Sequence, residues 1–340
     1  MRKGASVRTG AAFGGTTFVI LAAIYLSVTN GMFDMSVLDV AKTLLRIDPV
    51  REHDLVVFEF RLPRIVLAML VGAALGMAGN VIQGVTRNGL ADPGILGINA
   101  GAGMTVVLFM FLTQGAIAAS GWLGVMLKPM FGLAGGLLAT SLIYLFARHN
   151  GSLDPQRLIL VGIAIASGFG AVTIFISLKM NPNDFEMAAV WLAGSIYSAN
   201  WKFVVTMLPW LLAMPILLWR RSRVLDLFQL GEPTAGGLGV NVEREKNILL
   251  ACSIALVSAS VAVSGSIGFV GLIAPHLARR LVGERHSATL PLSGLIGTAM
   301  VVVGDFIGKT VFAPAELAVG IVISIIGVPY FVFLLIRARR

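Results

Sequence analysis

The chain has 340 residues, of which 57% are hydrophobic and only 13% charged, with a formal net charge of +9 and a mean hydropathy of +0.88. Soluble domains average about 25% charged residues, so a water-facing globule, including a soluble nucleic-acid-binding one, is excluded. The apolar runs are long and continuous, which argues against a transmembrane β-barrel and for an all-α polytopic membrane protein whose 39 glycines suit close helix packing.

In chain order, a basic N-terminus precedes an apolar core in the manner of a signal peptide. No A-x-A-like site follows clearly, so the segment is expected to stay as a first helix. A bilayer-crossing helix needs about 20 mostly apolar residues. Stretches free of Asp, Glu, Lys and Arg then predict ten spans, near 11–31, 63–86, 94–113, 129–148, 157–178, 202–219, 247–265, 268–282, 288–307 and 317–336. "RLPR", Arg61–Arg64, opens the second span with two arginines on one helix face, a pattern that interfacial snorkelling explains before any functional role. "RNGLADPGILG" follows that span, with turns at Asn88-Gly89 and Pro93-Gly94, and Asp92-Pro93 able to start the next helix. The stretch 93–127 reads as one helix and a loop containing "SGW". The Gly/Ser-broken stretch 187–201 reads as an interfacial helix leading into the sixth span. The segment 220–246 is the largest loop: a brief helix, a glycine turn and a second brief helix, with Glu232 near a helix start. It can be an ordinary connection or a docking element for a partner. The stretch 247–278 is too long for one helix, and "SGSIGF", Ser264–Phe269, offers the break, leaving a short, partly re-entrant eighth span.

Orientation follows from lysine and arginine. With the N-terminus in the cytoplasm, 17 of the 26 basic residues fall inside, the ten spans return the "RARR" tail to that side, and both termini are cytoplasmic. "GDFIGKT", Gly304–Thr310, has nearly the residues of a phosphate-cradling loop, but only three residues separate its glycines and no strand precedes it. It also lies at the outer end of the ninth span, beyond the reach of intracellular ATP, so ATP-driven work falls to a partner. The four histidines lack metal-ligand spacing, no nucleophile–base cluster is visible, and the single cysteine, Cys252, reads as a small packing residue. Neither a catalytic nor a metal site is expected. Asp305, also near the outer end of the ninth span, reads as a structural partner for a helix end or for Lys309.

"RLPRIVLAMLVGAALGMAGNVIQGVTRNGLADPGILG", "LGEPTAGGLGV" and "SGSIGFVGLIAPHLARRLVG…GDFIGKTVFAPAELAVGIVISIIGVPYFVFLL" together resemble the permease subunits of ABC importers for iron–siderophores and vitamin B12, the FecCD type. The likeness runs from about residue 15 to the C-terminus. It implies one transmembrane permease domain over residues 1–340, dimeric with itself or with a sister permease, in a bacterial plasma membrane. It also implies two cytoplasmic ATPase subunits, which bind the ATP and magnesium, and an extracytoplasmic substrate-binding protein; no cofactor belongs to this chain and no nucleic acid is involved. Carried over residue by residue, Gly231, Glu232, Gly237, Leu238 and Gly239 in the coupling segment 220–246 would touch the ATPase. Arg61, Arg64 and Lys309 would pair with acids of the binding protein. Asn88 and Leu90 would form one part of the cytoplasmic gate, and Gly151 and Ser152 of "HNGSLDP" the other. The sequence departs from the usual pattern at Gly89 and Ala318, where proline is common. The cargo expected from such a family is most often a ferric siderophore, with haem or cobalamin as alternatives. An ion-coupled secondary transporter is the rival class, and it would need a midplane ion site that the sequence does not offer.

Overall fold

The computed structural model describes residues 2–31, 33, 35–47, 50–113, 122–149, 152, 153 and 155–338. Helix α1 (Arg2–Thr29) is followed by α2 (Val37–Leu44), α3 (Arg51–Asp54), a π-helical stretch (Leu55–Arg61) and α4 (Leu62–Thr86). A 3₁₀ turn (Pro93–Leu96) leads into α5 (Ile98–Leu112), then α6 (Trp122–Ala147) and α7 (Pro155–Ser177). After α8 (Pro182–Leu192) and α9 (Trp201–Arg220) come the short α10 (Ser222–Phe228) and α11 (Glu232–Gly237). The chain closes with α12 (Val242–Ser264), α13 (Val270–Val282), α14 (His286–Thr310) and α15 (Val319–Ala338).

Eight stretches of described helix are long and apolar enough to cross a bilayer. Helices α5 and α13, with 15 and 13 residues, complete the correspondence with the ten predicted spans. The break at "SGSIGF" is real: α12 ends at Ser264, and both Gly265 (φ 67°) and Phe269 (φ 65°) take left-handed backbone that a continuing helix forbids. The predicted interfacial helix of 187–201 is matched only in part: α8 covers Pro182–Leu192, started by Asn181, whose side chain accepts from the Asp184 amide, and 193–200 is not helical.

Three helix starts differ from the sequence reading, for one reason. The first helix begins at Arg2 rather than near 11, with Arg2, Lys3 and Arg8 in its first turns. The second span does not open at "RLPR"; its helix runs unbroken from Arg51 to Thr86. The π stretch just before Pro63 shifts the hydrogen-bond register where proline removes a donor, so the helix passes through. Likewise α6 starts at Trp122 rather than near 129, and takes both Lys128 and Pro129 inside it. Cutting spans at every charged residue shortens helices that carry charge in their outer turns. Between α6 and α7, Arg148–His149 and Ser152–Leu153 form a two-residue antiparallel ribbon, a minor exception to the all-helical plan.

The centre of the bundle is the pair α4 and α14. A Cβ on Gly76 would lie 2.1 Å from the Ser293 carbonyl oxygen, and one on Gly297 2.1 Å from that of Gly72. The two backbones touch there, as small residues in membrane helices permit. The Asn80 amide crosses the same seam to the Ser293 hydroxyl at 3.0 Å. By contrast only 11% of the α7 span is buried, against 78% of the span containing α4, so α7 faces lipid or a partner.

Candidate functional site

At the end predicted to face the cytoplasm, α11 hangs from the bundle through charge. Gly231 takes φ 99°, which turns the chain so that Glu232 starts the helix. The Glu232 carboxylate lies 2.8 Å from Nζ of Lys246, whose side chain is only 3% exposed. Glu243 is a second partner of Lys246 at 3.6 Å, and Arg87 approaches Glu232 at 3.9 Å. Glu232 is therefore turned inward, tying α11 to the base of α12 and to the end of α4. Of the other predicted residues, Gly231 lies against Arg87, while Gly237, Leu238 and Gly239 make the outward face. A Cβ at Gly237 or Gly239 would meet nothing, and the side chains of Leu230 and Leu238 are 60% and 61% exposed.

Arg87, with left-handed backbone, ends α4 and begins the predicted gate turn. The Asn88 side chain accepts from the Leu90 amide at 3.0 Å and its carbonyl accepts from Ala91 at 3.1 Å. Asn88 and Leu90 are half-buried. Asp92 caps the following 3₁₀ turn through the Gly94 amide, and its burial pushes the carboxyl above its ordinary range. Sequence reading missed the residue beneath this turn. The buried Gln83 amide donates to the carbonyls of Ala91 (3.2 Å), Gly271 (3.2 Å) and Leu272 (3.3 Å). Its oxygen accepts from the Arg279 guanidinium, so one side chain joins α4, the turn and α13. A buried amide in the apolar run "GNVIQGV" was the available signal, since buried polar groups need partners. Of the second predicted gate element, Gly151 lies outside the described residues, and Ser152 pairs through its backbone with His149. A cavity of about 270 Å³ below the turn is lined by Gln83, Arg87, Gly89, Gln229, Arg279 and His286, among others.

At the other end, all three predicted docking residues are engaged within the chain. Arg61 is 8% exposed and donates to the carbonyls of Val28 and Phe33. Arg64 binds Asp305 at 2.8 Å and Glu316 at 2.8 Å, its side chain 15% exposed. Lys309 donates to the Ser27 carbonyl at 2.9 Å. Together they fasten α1, α4, α14 and the segment after α14. The ion-pair partner of Asp305 is Arg64, in the first turn of α4, so of the two partners the sequence offered, a helix end or Lys309, it is the helix end. "GDFIGKT" is plain α-helix: Gly304 packs on Val319 and Ile323, and a Cβ on Gly308 would meet the Leu317 carbonyl at 2.4 Å. Two cavities, of about 580 and 780 Å³, share Arg64, Tyr197, Ser198 and Glu316 as lining. Among the described residues no group of three or more His, Cys, Asp or Glu is placed to hold a metal ion.

The model of the FecCD transport family matches residues 19–337. The chain is 51% identical to the iron-uptake system permease protein FeuC of Bacillus subtilis, over 95% of this chain and 96% of that one. It is 43% identical to the iron(3+)-hydroxamate import system permease protein FhuG of the same organism, over 95% and 96%. A solved metal-chelate type ABC transporter in an inward-facing conformation superposes with a TM-score of 0.81 at 30% identity, covering 96% of this chain and 99% of that one.

Proposed function

The chain belongs to the FecCD transport family, and from that premise we propose that it carries a ferric siderophore inward, as the multi-pass permease of a binding-protein-dependent ABC importer. Two copies, or this chain and a sister permease, enclose the path, with the exposed faces of α7 and α15 available for pairing. Cytoplasmic ATPase subunits bind ATP and magnesium and press on the outward face of α11, at Gly237, Leu238 and Gly239. The observation that carries this reading is the double attachment of α11. Glu232 reaches both Lys246 on α12 and Arg87, the first residue of the gate turn, so displacement of α11 is transmitted to Asn88 and Leu90 without an intervening loop.

On the outer face, the binding protein docks over Arg61, Arg64 and Lys309. Because Arg64 already holds Glu316, an incoming acid gains by exchange with Glu316 rather than by meeting a free cation. Such exchange steers and orients more than it adds affinity. The siderophore assignment is supported by the iron and ferric hydroxamate named for the two relatives above.

The test is reconstitution of the chain in proteoliposomes with its co-purified partners. An ATPase and a binding protein should co-purify, and uptake of radio-iron chelate should require ATP and the binding protein. Uptake by this chain alone, driven by a proton or sodium gradient, would overturn the proposal.

A further inference from the structure

The cavity of about 580 Å³ at the outer end holds a cation of a different kind from the others. Arg61, Arg64, Lys246 and Lys309 all meet carbonyl or carboxylate oxygens. Lys128, half-buried in the wall of this cavity, has no hydrogen bond and no ion pair among the described residues. Its one contact is with an aromatic face: Nζ stands 5.7 Å from the centroid of the Trp191 ring. That is near the outer limit of about 6 Å for a cation–π contact.

Lys128 is the seventh residue of α6, so it sits about 9 Å along the axis from the helix start. A lysine in the outer half of a span can snorkel to the interface; this one instead lines a cavity, the setting in which ionisable groups within a span mark a pathway. The acids around the cavity do not serve as its counter-ions. Asp305 and Glu316 are both bound to Arg64. Glu186 on α8 is exposed and makes no ion pair among the described residues. An ammonium offers three donors and no acceptor, so what it lacks is oxygen with negative charge. The volume is within the range of small-molecule sites, and Trp191, Met187 and Val190 supply an apolar and aromatic wall.

We propose that Lys128, backed by Trp191, forms a transit subsite for the anionic oxygens of a ferric chelate. The ligand class is a chelate whose catecholate or carboxylate oxygens keep net negative charge after binding iron. This rests on the importer reading above. The ring contact holds the ammonium in place when the cavity is empty and yields to a stronger oxygen partner, since charge-assisted hydrogen bonds are the strong ones. One lysine gives a weak site, and weakness suits transit, because a tight site would retain the cargo.

The test uses the full chain in nanodiscs and two radio-iron probes, the trianionic ferric tris-catecholate and an uncharged ferric tris-hydroxamate, with binding read by equilibrium dialysis. Wild type should bind the trianion saturably and the neutral chelate more weakly. Lys128→Gln should weaken trianion binding about tenfold or more while leaving the neutral chelate within about twofold. Lys128→Arg should restore most of the preference. Absence of saturable trianion binding in wild type, or equal trianion binding in wild type and Lys128→Gln, would overturn the subsite. Dialysis needs neither ATP nor partners. A chain that binds the trianion through Lys128 but shows no ATP-dependent uptake of any chelate with its partners would sink the importer reading and leave the subsite standing.

Discussion

Replacing Glu232 by glutamine keeps the size of the side chain and removes the charge that faces Lys246. At an effective dielectric of about 20, a unit pair 2.8 Å apart is worth about 6 kcal/mol before solvation, and the pair with Glu243 at 3.6 Å about 5 kcal/mol. Stripping a buried charge of its only partner costs about 3–5 kcal/mol, whereas an exposed pair is worth about 0–1 kcal/mol. Lys246 keeps Glu243, and Glu232 is one-third exposed, so the net loss lies between these limits, at about 2 kcal/mol. That shifts the attachment of α11 by about thirtyfold. In proteoliposomes with the partner subunits, binding-protein-stimulated ATP hydrolysis should stay within about twofold of wild type, while iron taken up per ATP falls about tenfold or more. The double variant Glu232→Gln/Lys246→Met separates stability from coupling. With no charge left stranded the thermal midpoint should recover, but uptake per ATP should not. If either variant imports as much iron per ATP as wild type, Glu232 does not transmit the stroke.

Gln83→Leu removes the two N–H donors shared among Ala91, Gly271 and Leu272 and the acceptor of Arg279, a local loss of about 4 kcal/mol when each neutral bond counts about 1 kcal/mol and the charged one about twice that. A cysteine placed by Leu90→Cys should then react faster with a polar thiol reagent than in the Gln83 background; equal rates would remove Gln83 from the gate, and the native Cys252 is buried and adds little background. Arg64→Met strands Asp305, which is 4% exposed, whereas Asp305→Asn leaves Arg64 with Glu316. Arg64→Met should therefore lower stability by about 3–4 kcal/mol and Asp305→Asn by only about 1–2 kcal/mol, and the reverse order in detergent melting curves would contradict the ion-pair geometry. Asp92 lies between membrane segments, with its carboxyl raised by burial above its ordinary value of 3.8. The folded state therefore holds this proton more tightly than the unfolded chain, and stability falls as pH rises from 3.8 through the raised value, then stays lowered. Asp92→Asn should melt higher than wild type at neutral pH, with the gap closing as pH drops through that window; a gap independent of pH would exclude this cause.

The helix count was legible because a 20-residue apolar run has few other uses, and the break at Ser264–Phe269 because two glycines interrupt a run too long for one crossing. The starts of α4 and α6 were not. Each carries charge in its first turns: α4 tolerates Arg64 because of a distant partner, and α6 carries Lys128 into the wall of a cavity. Arg64 finds Asp305 from 241 residues away, a pairing that no spacing rule within one helix contains. Glu232 was placed near a helix start and, by the family resemblance, against the ATPase, but its partner within the chain was not legible: it faces Lys246 because α12 brings that lysine beneath it. Gln83 carried a signal that was passed over, one amide in an apolar stretch. "GDFIGKT" shows the converse, a motif emptied by its setting, since its glycines are spaced for helix contacts with α15 and Leu317.

Helix α4 joins these sites mechanically. Arg64 stands near one end and Gln83 near the other, 19 positions and so about 28 Å apart along the axis. Between them Gly72 and Gly76 lie against the backbone of α14 so closely that no Cβ fits. A helix pair in such contact cannot slide without prising its backbones apart, because packed interiors move between discrete arrangements rather than deform smoothly. The pair α4–α14 therefore moves as one body. If the binding protein docks over Arg64 and α11 drives the gate, as proposed above, a shift at Glu316 is carried to Gln83 along this rod and a push on Arg87 travels the other way. On that proposal docking outside and gating inside are coupled through the rigid pair. On that argument the sensitive positions are the two ends of α4 and the glycines that fix it to α14, while the lipid-exposed side chains of α7, whose span is only 11% buried, are free to vary.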